Sequence, residues 1–268
     1  LLAFHGTMLV LPLLILAQSA APLTPPLADA SHELWYDQPA TGWNQALPIG
    51  NGRLGAMVFG GVEKARFQLN EDTIWAGRPE ARNRQPEGTV LPKIRDLLFE
   101  GQVVEGQALA QKELMSNRWI RSYQTLGELT VGFDHGANAK ASGYRRSLDL
   151  RTAIATTTYD IGGVTFTRET LSSVTDGIRF TAMASVSGAL TGTVQLDRPG
   201  ETRSIRWRAI DDRTLRVEIT DRAQNDPAYG GVELRAVAFV TALGPDATVE
   251  VREGEGGWFG RADEVRIV

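Results

Sequence analysis

The stretch "KARFQLNEDTIWAGRP", residues 64–79, contains the pattern that decides the fold. It opens with strict alternation, because Ala65, Phe67 and Leu69 are apolar and the residues between them are polar. Successive side chains of a strand point to opposite faces, so this pattern predicts a strand with one buried and one polar face. The alternation ends in a cluster of amide, carboxylate, hydroxyl and indole groups over residues 70–75.

Two interpretations of this polar cluster are open. In the first, the cluster is a capped corner, in which Asn70 and Thr73 bind backbone groups of the turn and Trp75 fills core. In the second, it is one wall of a sugar site, since the amide of Gln68 both donates and accepts hydrogen bonds and an indole offers an apolar plate. The capped corner is favoured for Asn70 and Glu71, and both interpretations stay open for Gln68 and Thr73.

Composition restricts the classes of function. The chain has 268 residues, 42% of them hydrophobic, which is enough for one large or two small cores. Its net charge of −4 and scattered Arg and Lys give no indication of a nucleic-acid partner. The absence of cysteine excludes disulfides and cysteine nucleophiles, and the histidines His5, His32 and His135 are too widely spaced to predict a metal site. We therefore predict no cofactor, no metal site and no nucleic-acid partner.

The N-terminal residues have the pattern of a targeting segment. Residues 8–17 form an apolar run, which is too short for the ~20 residues that a membrane span needs. Small-residue motifs that suit signal peptidase follow, and then the Pro-rich stretch "APLTPPLADA". Residues 1–30 are therefore predicted to be a signal peptide and spacer, cleaved between Ala20 and Ser31. The protein is predicted to be secreted or periplasmic, without a membrane span, and residues 31–268 are predicted to form the folded domain.

Two further segments have clear local patterns. Residues 91–117 predict two short helices with a break at Gly101, inserted on a loop between strands. The stretch "ATTTYDIGGVTFTRET", residues 155–170, predicts a hairpin whose turn is Gly162–Gly163, because that turn needs positive φ angles. This register pairs Tyr159 with Phe166 and places large side chains on one face.

The remaining pattern is almost entirely β. The segment "RLGAMVFGG" reads as a strand that pairs with residues 64–70 across a short turn, and residues 220–231 are predicted to form a loop. Many strands at intervals of about ten residues predict a mainly β fold, an antiparallel β-sandwich. Further strands are predicted at residues 178–186, 190–196, 204–209, 215–220, 231–242, 247–252 and 262–268.

Other polar and aromatic residues are given structural roles. The carboxylates Asp149, Glu169 and Asp176 are expected to pair with Arg145, Arg146 or Arg168, because such pairing is the usual role of carboxylates near a sheet surface. The aromatic residues that precede the first strand pair are expected to pack in the core, although they also suit a sugar-facing surface; they are Trp35, Tyr36 and Trp43.

Four blocks of the chain resemble one family in the same order. The block "PIGNGRLGAMVFGGVEKARFQLNEDTIWAGRP", residues 48–79, resembles the opening block of the alpha-L-fucosidases of glycoside hydrolase family 95. The blocks "SYQTLGEL" (122–129), "YRRSLDLRTAI" (144–154) and "TRETLSSVTDGI" (167–178) resemble the next blocks of that family. The resemblance covers nearly everything after the predicted signal peptide.

The resemblance implies an architecture and an activity. Members of that family begin with a large β-sandwich, the supersandwich, which precedes a linker, a catalytic (α/α)6 barrel and a C-terminal β domain. This chain then corresponds to the first domain, a fragment without the barrel on which it packs. The family hydrolyses fucosylated oligosaccharides with inversion, and its general acid and base lie on the barrel. The resemblance therefore assigns no catalytic residue to this chain, and the fragment alone is predicted to be inactive.

The resemblance also implies that the opening block contributes a few residues to the sugar site. We predict that Gln68 and Thr73 hydrogen-bond the substrate from one rim, that Trp75 supports them, and that Asn70 belongs to the same site. An inverting glycosidase needs two carboxyl groups roughly 6.5–9.5 Å apart. The neighbours Glu71 and Asp72 point to opposite faces of a strand, so a joint acid–base role is not predicted for them.

Two other functions stay open at this point. The chain also suits a free-standing carbohydrate-binding module, although its end inside the apolar strand of residues 262–268 argues against that function. It also suits the matching domain of a related glycoside phosphorylase with the same plan of sandwich and barrel. The block "NEDTIWAG", residues 70–77, favours the fucosidase.

Overall fold

The computed structural model describes residues 32–77, 88–115, 122–198, 203–226, 230–254 and 256–268. The signal peptide and spacer predicted for residues 1–30 lie outside the described residues, so that boundary stays a prediction. The described residues form β-strands, a short 3-10 helix at Trp43–Gln45 and two α-helices, α1 at Val90–Phe99 and α2 at Val103–Glu113. The strands are β1 Glu33–Tyr36, β2 Leu47–Gly50, β3 Leu54–Val58, β4 Lys64–Glu71, β5 Gly127–Phe133, β6 Ser142–Asp149, β7 Ile154–Ile161, β8 Val164–Ser173, β9 Gly177–Ala184, β10 Leu190–Asp197, β11 Ser204–Ala209, β12 Thr214–Asp226, β13 Gly230–Leu243, β14 Thr248–Arg252, β15 Gly256–Ala262 and β16 Glu264–Ile267.

The strands form two antiparallel sheets that pack face to face. In the described part of the chain, one sheet has nine strands in the order β1-β6-β7-β8-β9-β16-β13-β12-β11. The other has seven strands in the order β14-β15-β10-β5-β4-β3-β2. This arrangement confirms the predicted antiparallel β-sandwich.

Strand β4 has the two faces that its alternation predicts. Ala65, Phe67 and Leu69 are buried between the sheets, and Phe67 meets Phe180 of β9 edge to face at a ring-centroid distance of 5.1 Å. Burying such apolar side chains is the main force that holds two sheets together. The polar side chains of β4 therefore lie on the outer face of the seven-stranded sheet, as predicted.

The predicted hairpin is also confirmed. Strands β7 and β8 pair with Tyr159 opposite Phe166 and Ile161 opposite Val164. Gly162 and Gly163 have φ angles of 58° and 82°, which residues other than glycine adopt only at an energetic cost. The local pattern was sufficient here because a two-residue turn fixes the register of both strands.

Part of the strand pattern was mispredicted. The loop predicted for residues 220–231 is much shorter, because β12 runs to Asp226 and β13 begins at Gly230. Strand β15 was not predicted, since its sequence "GGWFGRA" is rich in glycine. Its glycines serve close packing rather than a turn: a Cβ atom on Gly257 would lie 2.6 Å from the Trp207 ring.

The predicted pairing of the carboxylates with three arginines is wrong. Arg146 and Arg168 lie on the inward faces of β6 and β8 and are buried. Asp149 and Glu169 lie on the outward faces of the same two strands. Adjacent strand residues point to opposite faces, so these carboxylates cannot reach the buried guanidinium groups. Asp149 pairs with Arg151, Asp176 accepts from Ser173, and Arg145 pairs with Glu33 instead.

The two helices lie between β4 and β5 in the chain and form a hairpin. They confirm the predicted break, where Gly101 has a φ of 80°. They pack on each other, and a Cβ on Gly106 would lie 3.0 Å from the Leu98 side chain. Ile94 and Gly106 are buried, but several large apolar side chains of the hairpin are exposed, namely Leu91, Leu98, Phe99, Val103, Val104 and Met115. No helix in the described part of the chain is long and apolar enough to cross a membrane.

Candidate functional site

The outer face of the seven-stranded sheet contains a groove with a volume of about 430 Å³. That volume is within the range of small-molecule sites. The groove lies over β2, β3 and β4, on the side of the sheet opposite the core. Its lining residues are Trp43, Pro48, Ile49, Gly55, Ala56, Met57, Gln68, Leu69, Asn70, Tyr123 and Thr125.

The strand register places polar groups on the floor of this groove. Gln68 lies opposite Met57 of β3, and Asn70 lies opposite Gly55. Gly55 in turn lies opposite Gly50 of β2. Directly opposed residues share a face of the sheet. Gly55 and Gly50 therefore lie beside Asn70 on the outer face, and no side chain stands next to its amide on the β3 side. The two glycines therefore keep the floor low next to the Asn70 amide.

Trp43 and Tyr123 bring two aromatic side chains to the groove. Neither was among the predicted site residues, although a sugar-facing surface was left open for Trp43. Trp43, in the 3-10 helix, is 60% exposed, so the expectation that it packs in the core is wrong. Trp35 and Tyr36 are exposed as well, which corrects the same expectation for them. Tyr123 lies in the block "SYQTLGEL" and pairs with the backbone of Trp75 through an isolated bridge. The long loop with the helical hairpin separates Tyr123 from β4, so no local pattern brings the two together.

The corner after β4 is held by the carboxylate of Glu71. One of its oxygens accepts a hydrogen bond from Arg53 Nε at 3.0 Å, and the other accepts from the Thr73 backbone N–H at 2.9 Å and the Thr73 hydroxyl at 2.6 Å. Burial acts to raise the pKa of Glu71, but the hydrogen bonds from Thr73 and Arg53 outweigh it and the pKa is lowered. Glu71 is therefore an ionised structural acceptor at neutral pH and not a proton donor.

The corner also fixes Tyr123. The Tyr123 hydroxyl donates to the backbone carbonyl of Glu71, and its ring packs edge to face on Trp75 with centroids 5.0 Å apart. The indole N–H of Trp75 donates to the carbonyl of Asp72 at 3.1 Å. Burial, together with the negative charges of Glu71 and Asp72, raises the pKa of Tyr123, so its hydroxyl remains a donor over the physiological range.

The four predicted site residues divide into two pairs. Gln68 and Asn70 line the groove, whereas Thr73 and Trp75 do not. Thr73 is bound to Glu71, and Trp75 is 44% exposed and supports Tyr123 rather than filling core. Replacing Trp75 with alanine should therefore cost less stability than replacing a fully buried tryptophan would. The contacts of Glu71 and Thr73 thus fit the capped corner, whereas substrate binding by any of these residues stays a prediction.

Residues 34–266 match the model of one protein family, described as the glycosyl hydrolase family 65, N-terminal domain. The chain belongs to this family. It is an N-terminal domain of a glycoside hydrolase, and the match covers both sheets and the groove.

Three relatives of this glycoside hydrolase domain are named as fucosidases. The domain is 39% identical over 168 residues to alpha-L-fucosidase 2 of Arabidopsis thaliana, an alignment that covers 62% of this chain and 20% of the relative. It is 34% identical over 240 residues to the probable alpha-fucosidase A of Aspergillus niger, covering 84% and 29%, and 30% identical over 192 residues to that of Aspergillus oryzae, covering 68% and 25%. The chain thus spans less than a third of the length of these relatives.

The groove of this domain offers hydrogen-bonding amides and aromatic rings, but no arrangement for metal chemistry. Within the ranges that the structure describes, no cluster of three or more His, Asp or Glu side chains could hold a metal ion. Glu128 lies opposite Gln68 on β5, and its carboxylate pairs with Arg66 at 2.7 Å. The groove is therefore suited to binding a polar, partly apolar ligand such as a sugar.

The Glu71 corner should make stability depend on pH. Because the pKa of Glu71 is lower in the folded protein than its ordinary value of 4.5, its stabilisation is complete above pH ~4.5 and is lost as the pH falls through the lower folded value. We expect Glu71→Gln to destabilise by about 1.5–3 kcal/mol at pH 7, the usual range for hydrogen bonds to a charged group. Thermal unfolding from pH 7 to pH 3 checks this, and the difference from the wild type should shrink at low pH. Asp72→Asn, at the exposed neighbour, is the control and should change Tm little; an equal effect of Glu71→Gln at both ends of the range would contradict the account.

Proposed function

We propose that this domain belongs to a secreted, inverting alpha-L-fucosidase of glycoside hydrolase family 95 and that its groove forms one wall of the sugar site. The names of the relatives, alpha-L-fucosidase 2 and probable alpha-fucosidase A, support the substrate class. The observation that carries the role of the groove is the joint presence of the Gln68 and Asn70 amides with the Trp43 and Tyr123 rings in one concave surface.

The chemistry of the groove suits one end of a fucosylated oligosaccharide. The amides of Gln68 and Asn70 donate and accept, so each serves a sugar hydroxyl in either direction. The exposed ring of Trp43 offers an apolar plate for the C–H face of a pyranose. The side chain of Met57 lies beside Gln68 and adds an adaptable apolar contact. In this proposal the groove reads the aglycone side of the substrate and does not cleave the glycosidic bond.

The catalytic groups are proposed to lie elsewhere in the longer protein. Inverting hydrolysis needs a carboxylic acid and a carboxylate with a water between them. Glu71 is bound to Arg53 and Thr73, and its lowered pKa makes it a poor acid. A carboxylate that must protonate a leaving group needs a raised pKa instead. We therefore propose that the acid and base come from the catalytic barrel that the family resemblance implies.

The helical hairpin is the surface on which we propose that the domain meets that barrel. Its helices have ten and eleven residues, and helices of that length are marginal in water without tertiary packing. Yet Phe99 is 88% exposed and Val104 is also exposed. Exposed apolar clusters of this kind mark interaction surfaces. Since the relatives are more than three times as long as the region they share with this chain, the remaining polypeptide is the occupant that we propose.

A carbohydrate-binding module and the domain of a glycoside phosphorylase are the alternative functions. The three relatives reported above are all named as fucosidases, and this favours the hydrolase. A phosphorylase would cleave the sugar only with inorganic phosphate present, and a binding module would retain sugar without cleaving it.

The activity test compares the longer protein with this domain. We expect the longer protein to hydrolyse a chromogenic alpha-L-fucoside in phosphate-free buffer, and residues 32–268 alone to give no turnover above the blank. Hydrolysis by the domain that disappears on Glu71→Gln would place catalysis in this chain and contradict the proposal. Turnover of the longer protein only with phosphate would instead support the phosphorylase.

The role of the groove is tested by Gln68→Ala in the longer protein. Loss of one neutral hydrogen bond to the substrate should raise KM by about two- to tenfold, while kcat changes much less because the acid and base are unaffected. Gln195→Ala is the matched control, since Gln195 lies on the exposed outer face of the same sheet but outside the groove. Thr73→Ala separates the two interpretations of the opening stretch: a raised KM assigns Thr73 to the sugar, and lowered Tm alone assigns it to the Glu71 corner. Equal KM for Gln68→Ala and wild type on fucosylated oligosaccharides would remove Gln68 from the sugar site.

The hairpin surface is tested by Phe99→Asp in the longer protein. If the barrel covers Phe99, the charge should speed hydrogen exchange of the α1 and α2 amides and lower Tm. Val174→Asp is the control, because Val174 is an equally exposed apolar residue, at 85%, in the turn between β8 and β9. Unchanged exchange in Phe99→Asp would contradict this surface, and a change in molar mass by light scattering would show that a second copy covers it instead.

A further inference from the structure

We propose that Arg146 is a positioning residue for the sugar site, because it holds the segment that carries Trp43. This inference rests on the proposed function only for its kinetic consequence; the positioning itself is a property of the fold. Arg146 does not line the groove and would not touch the substrate.

The guanidinium of Arg146 reaches a segment outside its own strand. Arg146 lies on the inward face of β6, in the nine-stranded sheet, and is 2% exposed. Its Nε donates to the carbonyl of Gln38 at 2.8 Å, and its Nη1 donates to the carbonyl of Gln45 at 2.7 Å. The guanidinium also stacks on the ring of Tyr36 with its central carbon 4.0 Å from the centroid. One buried cation therefore holds both ends of the segment from residue 38 to residue 45.

The segment between those two carbonyls is bonded internally through the side chain of Gln45. The side-chain oxygen of Gln45 accepts from the Thr41 N–H at 2.8 Å, the Thr41 hydroxyl at 2.9 Å and the Gly42 N–H at 3.3 Å. The backbone of Trp43–Gln45 forms the 3-10 helix. Trp43 lies inside this closed loop, and its orientation therefore depends on where the loop is held.

Trp43 has little packing of its own to fix the ring. The side chain is 60% exposed, and its ring lines the groove beside β2. A ring that is mostly exposed gains little orientation from burial, in contrast to core aromatics. The carbonyl of Gln45, two residues after Trp43, is the point at which Arg146 holds the loop. The ring is thus positioned through the backbone and not through contacts of the indole.

The charge of Arg146 makes this hold stronger than neutral hydrogen bonds would. Burial lowers the pKa of Arg146, and the nearby Tyr144 and Tyr36 oppose that shift, but a guanidinium stays protonated in proteins. A charged N–H donor binds a carbonyl about twice as strongly as a neutral donor. Replacement by an apolar side chain would leave the carbonyls of Gln38 and Gln45 without this donor. The loop would then lose two of the bonds that hold it against the sandwich and keep the one from the Ala40 N–H to the Phe59 carbonyl, at 2.9 Å.

Arg168 provides a comparison within the same fold. It lies on the inward face of β8 and donates to the carbonyls of Gly61 and Val62 at 2.6 and 2.5 Å. It also binds the Tyr159 hydroxyl. Its contacts thus hold the turn between β3 and β4, none of whose residues lines the groove. Arg168 is therefore a buried arginine with the same kind of bonds, but none of these bonds goes to the segment that carries Trp43.

A double-mutant cycle in the longer protein tests the proposal. We expect Arg146→Met to raise KM for a fucosylated oligosaccharide by about three- to tenfold, with kcat nearly unchanged, and Trp43→Ala to do the same. In the Trp43→Ala background, Arg146→Met should add nothing, because its effect passes through the ring. Arg168→Met should lower Tm without raising KM. A full effect of Arg146→Met without Trp43, or an equal rise in KM from Arg168→Met, would overturn the proposal. If Arg146→Met does not fold, Arg146→Lys, which retains one donor, replaces it and should give a smaller rise in KM.

A second readout separates this proposal from the function of the groove. With 5-fluorotryptophan in the longer protein, the ¹⁹F signal assigned by Trp43→Phe should shift or broaden in Arg146→Met and Arg146→Lys but not in Arg168→Met. If Trp43→Ala leaves KM unchanged, the groove does not bind the substrate and the proposed function of the groove fails, whereas the ¹⁹F shift still supports the positioning of Trp43. An unchanged Trp43 signal in both Arg146 variants would overturn the positioning itself.

Discussion

Strand β4 presents its side chains alternately to the core and to the groove, and the other features of the domain depend on that alternation. Phe67 and Leu69 point between the sheets, and Phe67 meets Phe180 of the opposite sheet. Gln68 and Asn70 necessarily point the other way, into the groove. A register slip of one residue would expose the apolar set and bury two amides at once. The energy of the core therefore fixes the placement of the groove amides, although no amide contributes to the core.

The edges of the groove depend on one buried cation and on one ionised carboxylate. Arg146 reaches from the nine-stranded sheet to the carbonyls that flank Trp43, and the Glu71 carboxylate holds the corner on which Tyr123 is bound. Such groups are expensive to bury unless all their donors or acceptors are used. Their use here explains how loops outside the sheets, which carry little apolar contact of their own, keep a defined position beside β4.

The sequence patterns predicted the fold better than the site. Strand β4 and the hairpin at Gly162–Gly163 were predictable because period and turn chemistry act over a few residues. Strand β15 was not, because its glycines serve contacts with Trp207 that only the assembled sandwich creates. Gln68 and Asn70 were predicted as sugar-site residues from their own strand, and the structure places both in the groove, whereas Trp43 and Tyr123 reach the groove from segments that are distant from β4 in the chain. The pairing of Arg146 and Arg168 was mispredicted, because charge alone does not tell which face of a strand an arginine occupies.

The most direct measurement is a structure of the longer protein with a bound, non-hydrolysable fucosylated oligosaccharide. The account predicts that a sugar unit occupies the groove, with a hydroxyl within hydrogen-bonding distance of the Gln68 amide and a pyranose face on the Trp43 ring. It also predicts that the catalytic carboxylates in that structure come from residues outside this domain. A sugar bound at a distance from the groove, or a groove filled by protein side chains of the remaining polypeptide, would contradict it.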